Sequence, residues 1–169
     1  MMSYQEKRSI VSIVTGLIIL LAYFVYTYTK YQAGVVSEGD LKFWAGAMLL
    51  FIAIGVIATI IIQILFHILL SISIAIQAKA KDEKCDDKEI EKEIELEMVS
   101  DEMDKLIELK SNVVGFGVAG VGFVFGLIAL VMDYSVAVML NIVFASFSIG
   151  SILEGITQLY FYRKGINHG

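Results

Sequence analysis

One uninterrupted apolar stretch, residues 43–78, constrains the fold of this chain more than any other feature. It runs for 36 residues without Asp, Glu, Lys, Arg or Pro, and His67 is its only titratable side chain. A helix of this length is about 54 Å long, since each residue adds about 1.5 Å. The hydrocarbon core of a bilayer is about 30 Å thick, so the helix would have to tilt by roughly 56° to fit. Transmembrane helices tilt by at most about 40°. We therefore expect part of this helix to leave the lipid and to be covered by protein.

The rest of the chain is also typical of a membrane protein. Hydrophobic residues make up 57% of the 169 residues, and the mean hydropathy is +0.76, above that of ordinary soluble domains. Apolar segments predict four spans, at about residues 9–30, 43–65, 113–132 and 136–160. Short polar links join spans one and two and spans three and four. The sequence therefore predicts an all-α fold with one membrane domain over residues 1–169, built from two antiparallel transmembrane hairpins in a four-helix bundle.

The hydrophilic part of the chain is residues 79–110. It contains seven lysines and thirteen acidic residues, for a net charge of −6. Ile90, Ile94 and Met98 recur every four residues, which favours a helix with a narrow apolar stripe. We expect an acidic helical segment here, with helices two and three extending into the cytoplasm on either side of it. Its last part would cover one side of the surplus of helix two, at about residues 66–76, through Met103, Leu106, Ile107 and Leu109.

The basic residues predict the orientation. The N-terminal head, residues 79–110 and the C-terminus together carry 11 of the 13 basic residues, and Lys30 and Lys42 are the other two. By the positive-inside rule, the larger group is cytoplasmic. We therefore expect a multi-pass protein of the cell membrane with its N- and C-termini in the cytoplasm. The chain is not basic enough to suggest a nucleic-acid partner, so the bilayer is the first partner expected.

Four polar residues lie at similar depth in two of the spans. Gln63 and His67 are four residues apart in span two, and Glu154 and Gln158 are four apart in span four. Each pair lies on one helical face, and ionisable groups inside a membrane are functional candidates. One hypothesis is that Glu154 and His67 meet in a polar layer at the cytoplasmic end of the bundle, where they bind a cation or respond to pH. The other is that both lie at the headgroup level and are simply solvated or bonded to neighbouring helices.

Two further patterns concern helix association and the acidic segment. Span three carries small residues at steps of three and four, which allow another helix to approach closely: Gly115, Ala119, Gly122, Gly126 and Ala129. Ser100 is a candidate cap for the helix that leads into this span, with Asp101 and Glu102 in its first turn. The acidic residues near Cys85 lack the ligand spacing of calcium and zinc sites. We therefore expect no metal, cofactor or catalytic residues.

Two short segments resemble a known group of proteins. Residues 101–112 read DEMDKLIELKSN, and residues 153–165 read LEGITQLYFYRKG. They resemble an uncharacterised family of small prokaryotic membrane proteins, predicted to have four helices, with an acidic D-E-R-D-like motif before the third span. Asp101, Glu102 and Asp104 match that motif, and Met103 stands where Arg is expected. The resemblance implies the same four-span topology in a prokaryotic membrane and brings no activity with it.

The patterns favour an interaction protein over an enzyme. We expect a non-enzymatic homodimer, with the cytoplasmic helices packing together and available to a protein partner. The alternative is a small transporter or channel that uses the layer formed by Gln63, His67, Glu154 and Gln158. An enzyme is the least favoured class, because no set of His, Asp or Cys residues converges near one membrane interface.

Overall fold

The fold is all-helical throughout the part of the chain that the computed structural model describes, residues 4–81 and 101–165. Four helices occur there: α1 (Tyr4–Gln32), α2 (Leu41–Lys81), α3 (Glu102–Val131) and α4 (Val136–Lys164). Each is long and apolar enough to cross a membrane. The chain is therefore a helical, multi-pass membrane protein, as its composition predicts. The predicted helix around residues 88–99 lies outside the described residues.

Local signals explain where α3 and α4 begin and end. Asp101 is the N-cap of α3: its carboxylate accepts a hydrogen bond from the backbone N–H of Asp104 at 2.7 Å, and Asp104 accepts one from the N–H of Asp101 at 3.1 Å. This reciprocal pair is a capping box. The sequence pattern placed Asp101 inside the first turn after a cap at Ser100, which lies outside the described residues. Ser135 caps α4, and Gly165, with a φ of 75°, ends it.

Helix α4 contacts all three other described helices, and α1 contacts α2 and α4. Helix α1 lies against α2 on one side and α4 on the other, α2 makes a smaller contact with α4, and α3 packs along α4. The buried centre of the α1, α2 and α4 contact is Tyr23, with Ala47 and Met48 beside it and Phe144 packed against them. The Tyr23 hydroxyl donates a hydrogen bond to Oδ1 of Asn141 at 2.8 Å, so the polar atom of this apolar cluster is satisfied.

The small residues of span three form the contact with α4. All five are buried: Gly115, Ala119, Gly122, Gly126 and Ala129. Their glycines meet α4 at three successive points, where an added side chain would first contact Gly150, Ser146 and Val143 respectively. At the first point α3 and α4 meet backbone to backbone, and at the second an added side chain would overlap Ser146. The helix that approaches this surface is therefore α4 of the same chain.

Helices α1, α3 and α4 end at one level. The side chain of Gln5, next to the start of α1, donates to Oδ2 of Asp104 at 3.4 Å, near the start of α3. Nε of Arg163, near the end of α4, lies 3.5 Å from Oε1 of Glu6. These two contacts tie the three helix ends together and define one end face of the bundle.

Of the four helices described, α2 alone continues beyond this end face. The ring of Tyr4, at the start of α1, lies 5.7 Å from the rings of both Phe66 and His67. Residues 68–81 therefore project about 21 Å past the other helices, at about 1.5 Å per residue. Four large apolar side chains in this projection are half or more exposed, and Ile74 is buried: the exposed ones are Ile68, Leu69, Ile72 and Ile76.

The start of α3 does not cover this projection as the sequence pattern suggested. Helix α3 packs along α4 and makes no extended contact with α2. Of the four apolar residues expected to cover α2, Met103 and Leu109 are exposed, Leu106 is half-buried, and Ile107 is buried. The small residues of α3 fit closely against α4, and this fit holds α3 along α4. The projecting part of α2, residues 68–81, is called the α2 extension below.

Candidate polar cavity at the end of the bundle

A polar cavity of about 170 Å³ lies just inside the end face of the bundle. All four helices contribute to it. Its lining residues are Gln5, Arg8, Ser9 and Ser12 of α1, Gln63 of α2, Glu108 of α3, and Glu154, Gln158 and Tyr162 of α4. Three of the four residues singled out from the sequence, Gln63, Glu154 and Gln158, therefore line one site.

A short chain of hydrogen bonds joins α1 to the carboxylate of this cavity. The Ser9 hydroxyl lies 3.2 Å from Oε1 of Gln158 and 3.0 Å from the backbone carbonyl oxygen of Gln5, and it shares its one proton between them. Nε2 of Gln158 donates to Oε1 of Glu154 at 3.3 Å. The Gln158 amide is thereby oriented with its nitrogen toward Glu154. The donor to Oε1 of Glu154 is therefore a neutral amide, and 3.3 Å is long for a hydrogen bond to a charged carboxylate.

Glycines on both sides make room for Glu154. A Cβ atom on Gly115 of α3 would lie 3.2 Å from Cβ and 3.3 Å from Oε2 of Glu154, so the carboxylate lies over the bare backbone of α3. On the other side, a Cβ atom on Gly155 would lie 2.7 Å from Cγ1 of Ile13 in α1. Glu154 thus lies on a part of α4 that packs closely against both α1 and α3. A side chain at Gly155 would push α1 away from α4, and one at Gly115 would push α3 away from α4.

The charges around the cavity are unbalanced. Glu108 faces Glu154 closely enough for the two carboxylates to repel each other. Arg8 is the cationic residue of the lining, and within residues 4–81 and 101–165 neither carboxylate forms an ion pair. The Tyr162 hydroxyl lies close to Asp104, a further acidic group at the rim. The lining therefore carries two carboxylates against one guanidinium.

His67 does not line this cavity. Its ring contacts Tyr4 edge-on at 5.7 Å, the residue is exposed, and its backbone carbonyl accepts a hydrogen bond from Ser71 at 2.9 Å. His67 lies one helical turn beyond Gln63, at the level of the end face, where the ring of Tyr4 contacts its ring. The hypothesis that Glu154 and His67 meet in one layer therefore differs from the arrangement in the structure.

The acidic motif at the start of α3 has a local role. Asp101 and Asp104 form the capping box, and Asp104 also accepts a hydrogen bond from Gln5. Glu102 is exposed in the first turn. In the described part of the chain, no three His, Cys, Asp or Glu side chains come together as a metal-ligand group.

Ser12 belongs to a stripe of polar and small residues in span one that the sequence already shows, whereas Gln5, Ser9, Glu108 and Tyr162 were not expected in the lining. Gln5, Ser9 and Ser12 are spaced by four and three residues, which places them on one face of α1. Tyr162 follows Gln158 by four residues and extends the face of α4. Glu108 lies among many similar acidic residues, and nothing in its spacing distinguishes it.

An apolar cleft of about 710 Å³ separates α2 from α4 farther along the bundle. It runs from Met48 and Leu140, where the helices touch, to Ile60 and Ser151. Helix α2 is thus attached to the bundle near its first turns and through α1. None of the residues in the most apolar eighteen-residue stretch of α2 is buried. Within this chain, α2 is the least covered of the four helices.

Comparison with protein-family models, with curated proteins and with solved structures gives no match for this chain. The resemblance of residues 101–112 and 153–165 to an uncharacterised family therefore stays a prediction.

Proposed function

We propose that this protein is a non-enzymatic, self-associating membrane module in which the α2 extension and the acidic segment after it present an interaction surface in the cytoplasm. The expected form is a homodimer in the cell membrane, arranged as two antiparallel hairpins with both termini inside. A cytoplasmic protein partner would bind the acidic segment.

The distribution of basic residues supports this orientation. Lys7 and Arg8 lie at the start of α1, Lys105 at the start of α3, and Arg163 and Lys164 at the end of α4. All three helix ends belong to the end face from which α2 projects. Lys30 and Lys42 lie near the opposite ends of α1 and α2. By the positive-inside rule, the end face and the α2 extension are cytoplasmic.

The observation that carries the proposal is the exposed apolar surface of the α2 extension. Ile68, Leu69, Ile72 and Ile76 are exposed by 50–66% beyond the end of the other helices. Burying a large aliphatic side chain is worth about 1.5–3 kcal/mol relative to leaving it in water. Two-fold symmetry is the commonest symmetry of homo-oligomers. A two-fold axis parallel to α2 would place these residues of one copy against the same residues of the second copy.

The test is the mass of the full-length protein in mild detergent, measured by light scattering together with chemical crosslinking in the membrane. We expect a dimer, and we expect Ile72→Gln to shift it toward the monomer. Val131→Gln is the matched control, because Val131 is 83% exposed and lies at the opposite end of the bundle. A monomeric wild-type protein in both experiments would contradict the proposal.

A small transporter or channel is the second candidate. The observation that favours it is the polar cavity, to which all four helices contribute and which holds Gln63, Glu154 and Gln158. Ion flux into liposomes containing the wild-type protein, compared with liposomes containing Glu154→Gln, tests this function. Flux that requires Glu154 would support transport, and absence of flux for a range of small ions would favour the interaction module.

A further inference from the structure

We propose that the polar cavity binds one monovalent alkali cation, with Glu154 as its charged ligand. The inference goes beyond the interaction module and requires neither self-association nor transport. It rests on the charge, the ligand chemistry and the size of the cavity.

The negative charge of the cavity lining is only partly compensated. Glu154 lies within a helix long and apolar enough to span the membrane, between α1 and α3. Its hydrogen-bond donor in the described part of the chain is the neutral amide of Gln158. Glu154 is half-buried, and a carboxylate at such a position in a membrane helix is stabilised by a nearby positive charge. Glu108 adds a second negative charge nearby, and Arg8 compensates for one of the two. One further positive charge would neutralise the lining.

The residues that line the cavity offer mainly oxygen ligands. Besides its two carboxylates, the lining offers the amide oxygens of Gln5 and Gln63 and the hydroxyl oxygens of Ser12 and Tyr162. Gln63 has no hydrogen-bond partner among the described residues, so its amide oxygen is available. Oxygen ligands without Cys or His suit hard cations. With Arg8 also present, the net charge of −1 suits a monovalent ion better than a divalent one.

The volume of the cavity suits a small, partly hydrated ion. Liquid water occupies about 30 Å³ per molecule, so a volume of about 170 Å³ holds roughly five water-sized groups. An alkali ion that keeps part of its water shell fits this space. A bulky organic cation such as N-methylglucamine does not, and it therefore serves as an inert replacement that keeps the ionic strength constant.

The experiment is thermal unfolding of the full-length protein in detergent as Na⁺ or K⁺ replaces N-methylglucamine at constant ionic strength. We expect the melting temperature to rise with either alkali ion and to saturate, as one-site binding to the folded state requires. Direct binding of radioactive ²²Na⁺, displaced by unlabelled Na⁺ or K⁺, measures the stoichiometry, which should be one per chain.

Three variants test the assignment of ligands. Glu154→Gln should abolish saturable ²²Na⁺ binding. Gln63→Leu should weaken ²²Na⁺ binding by about tenfold or more, because a polar contact to a charged group contributes at least about a factor of ten to the affinity. Since Gln63 has no hydrogen-bond partner in residues 4–81 and 101–165, this variant is expected to fold even if Glu154→Gln does not. Glu38→Gln, in the link between α1 and α2, is the matched control and should bind as the wild type does.

The opposite results would overturn the inference. These are a melting temperature that does not depend on which cation is present, no saturable ²²Na⁺ binding by the wild type, or unchanged affinity in folded Glu154→Gln or Gln63→Leu. None of these results depends on whether the protein is a dimer, so failure here is distinguishable from failure of the proposed self-association.

Discussion

Gly150 of α4 and Gly115 of α3 meet backbone to backbone: a Cβ atom on Gly150 would lie 2.5 Å from the carbonyl oxygen of Gly115. The atom that would be struck belongs to the main chain and cannot rotate away. This contact fixes the distance between α3 and α4, and Glu154 lies one helical turn after Gly150, beside the same glycine of α3. This backbone-to-backbone contact and the polar cavity are therefore parts of one arrangement.

The first prediction concerns this contact. Gly150→Ala should lower the free energy of unfolding by about 1–3 kcal/mol, because overpacking pushes two backbones apart. Unfolding in mixed detergent with increasing SDS measures the loss. Gly117→Ala is the control on α3, since nothing lies within 4 Å of its would-be Cβ. The control should be neutral or more stable than the wild type by up to about 1 kcal/mol, from its higher helix propensity. Equal effects of the two substitutions would contradict the close contact.

The second prediction concerns the hydrogen bond inside the apolar centre of the bundle. Tyr23→Phe should cost about 1 kcal/mol of unfolding free energy, because Oδ1 of Asn141 loses its buried donor. Tyr26→Phe is the control: Tyr26 stacks on Phe43, and its hydroxyl has no hydrogen-bond partner in the part of the chain described. The same SDS titration measures both. If Tyr23→Phe is as stable as the control, the hydrogen bond contributes nothing.

The third prediction concerns the start of α3. Asp101→Ala should destabilise the protein by about 1 kcal/mol, because the N–H of Asp104 loses its cap. Glu102→Ala removes an acidic group from the same turn without removing the cap, and should cost less. Hydrogen exchange of the first-turn amides of α3 locates the effect. A larger effect from Glu102 would mean that the acidic motif acts through its charge and not through capping.

The helices themselves follow from the sequence because lipid imposes a simple rule. Backbone groups inside a bilayer must be satisfied within their own helix or a closed barrel, so apolar length predicts a helix almost directly. The stretch at residues 43–78 is accordingly one continuous helix in the structure, Leu41–Lys81. Predicted spans at 9–30 and 136–160 likewise lie within α1 and α4.

The packing order could not be predicted in the same way, because it depends on contacts between helices. The small residues of α3 indicate that another helix approaches closely, but only the structure identifies α4 as that helix. This contact keeps Met103 and Leu109 away from the α2 extension. It also brings Glu108 toward Glu154. The contact between His67 and Tyr4 could not be predicted for a related reason, since the depth of a residue in its span does not show which neighbouring helix starts beside it.

The most direct test of the central claim is the water accessibility of the α2 extension. Ile72→Cys, in a background where Cys85 is replaced by Ser, can be labelled with a membrane-impermeant maleimide in open membrane fragments. Lys105→Cys in the same background is the exposed control at the same end of the bundle. We predict that Ile72→Cys reacts at least about tenfold more slowly than the control, because each 1.4 kcal/mol of free energy in the interface that covers it slows labelling by a factor of ten. We also predict that the cysteine crosslinks to its counterpart in a second chain. Equal labelling rates without crosslinking would contradict the proposal that a second copy covers the extension.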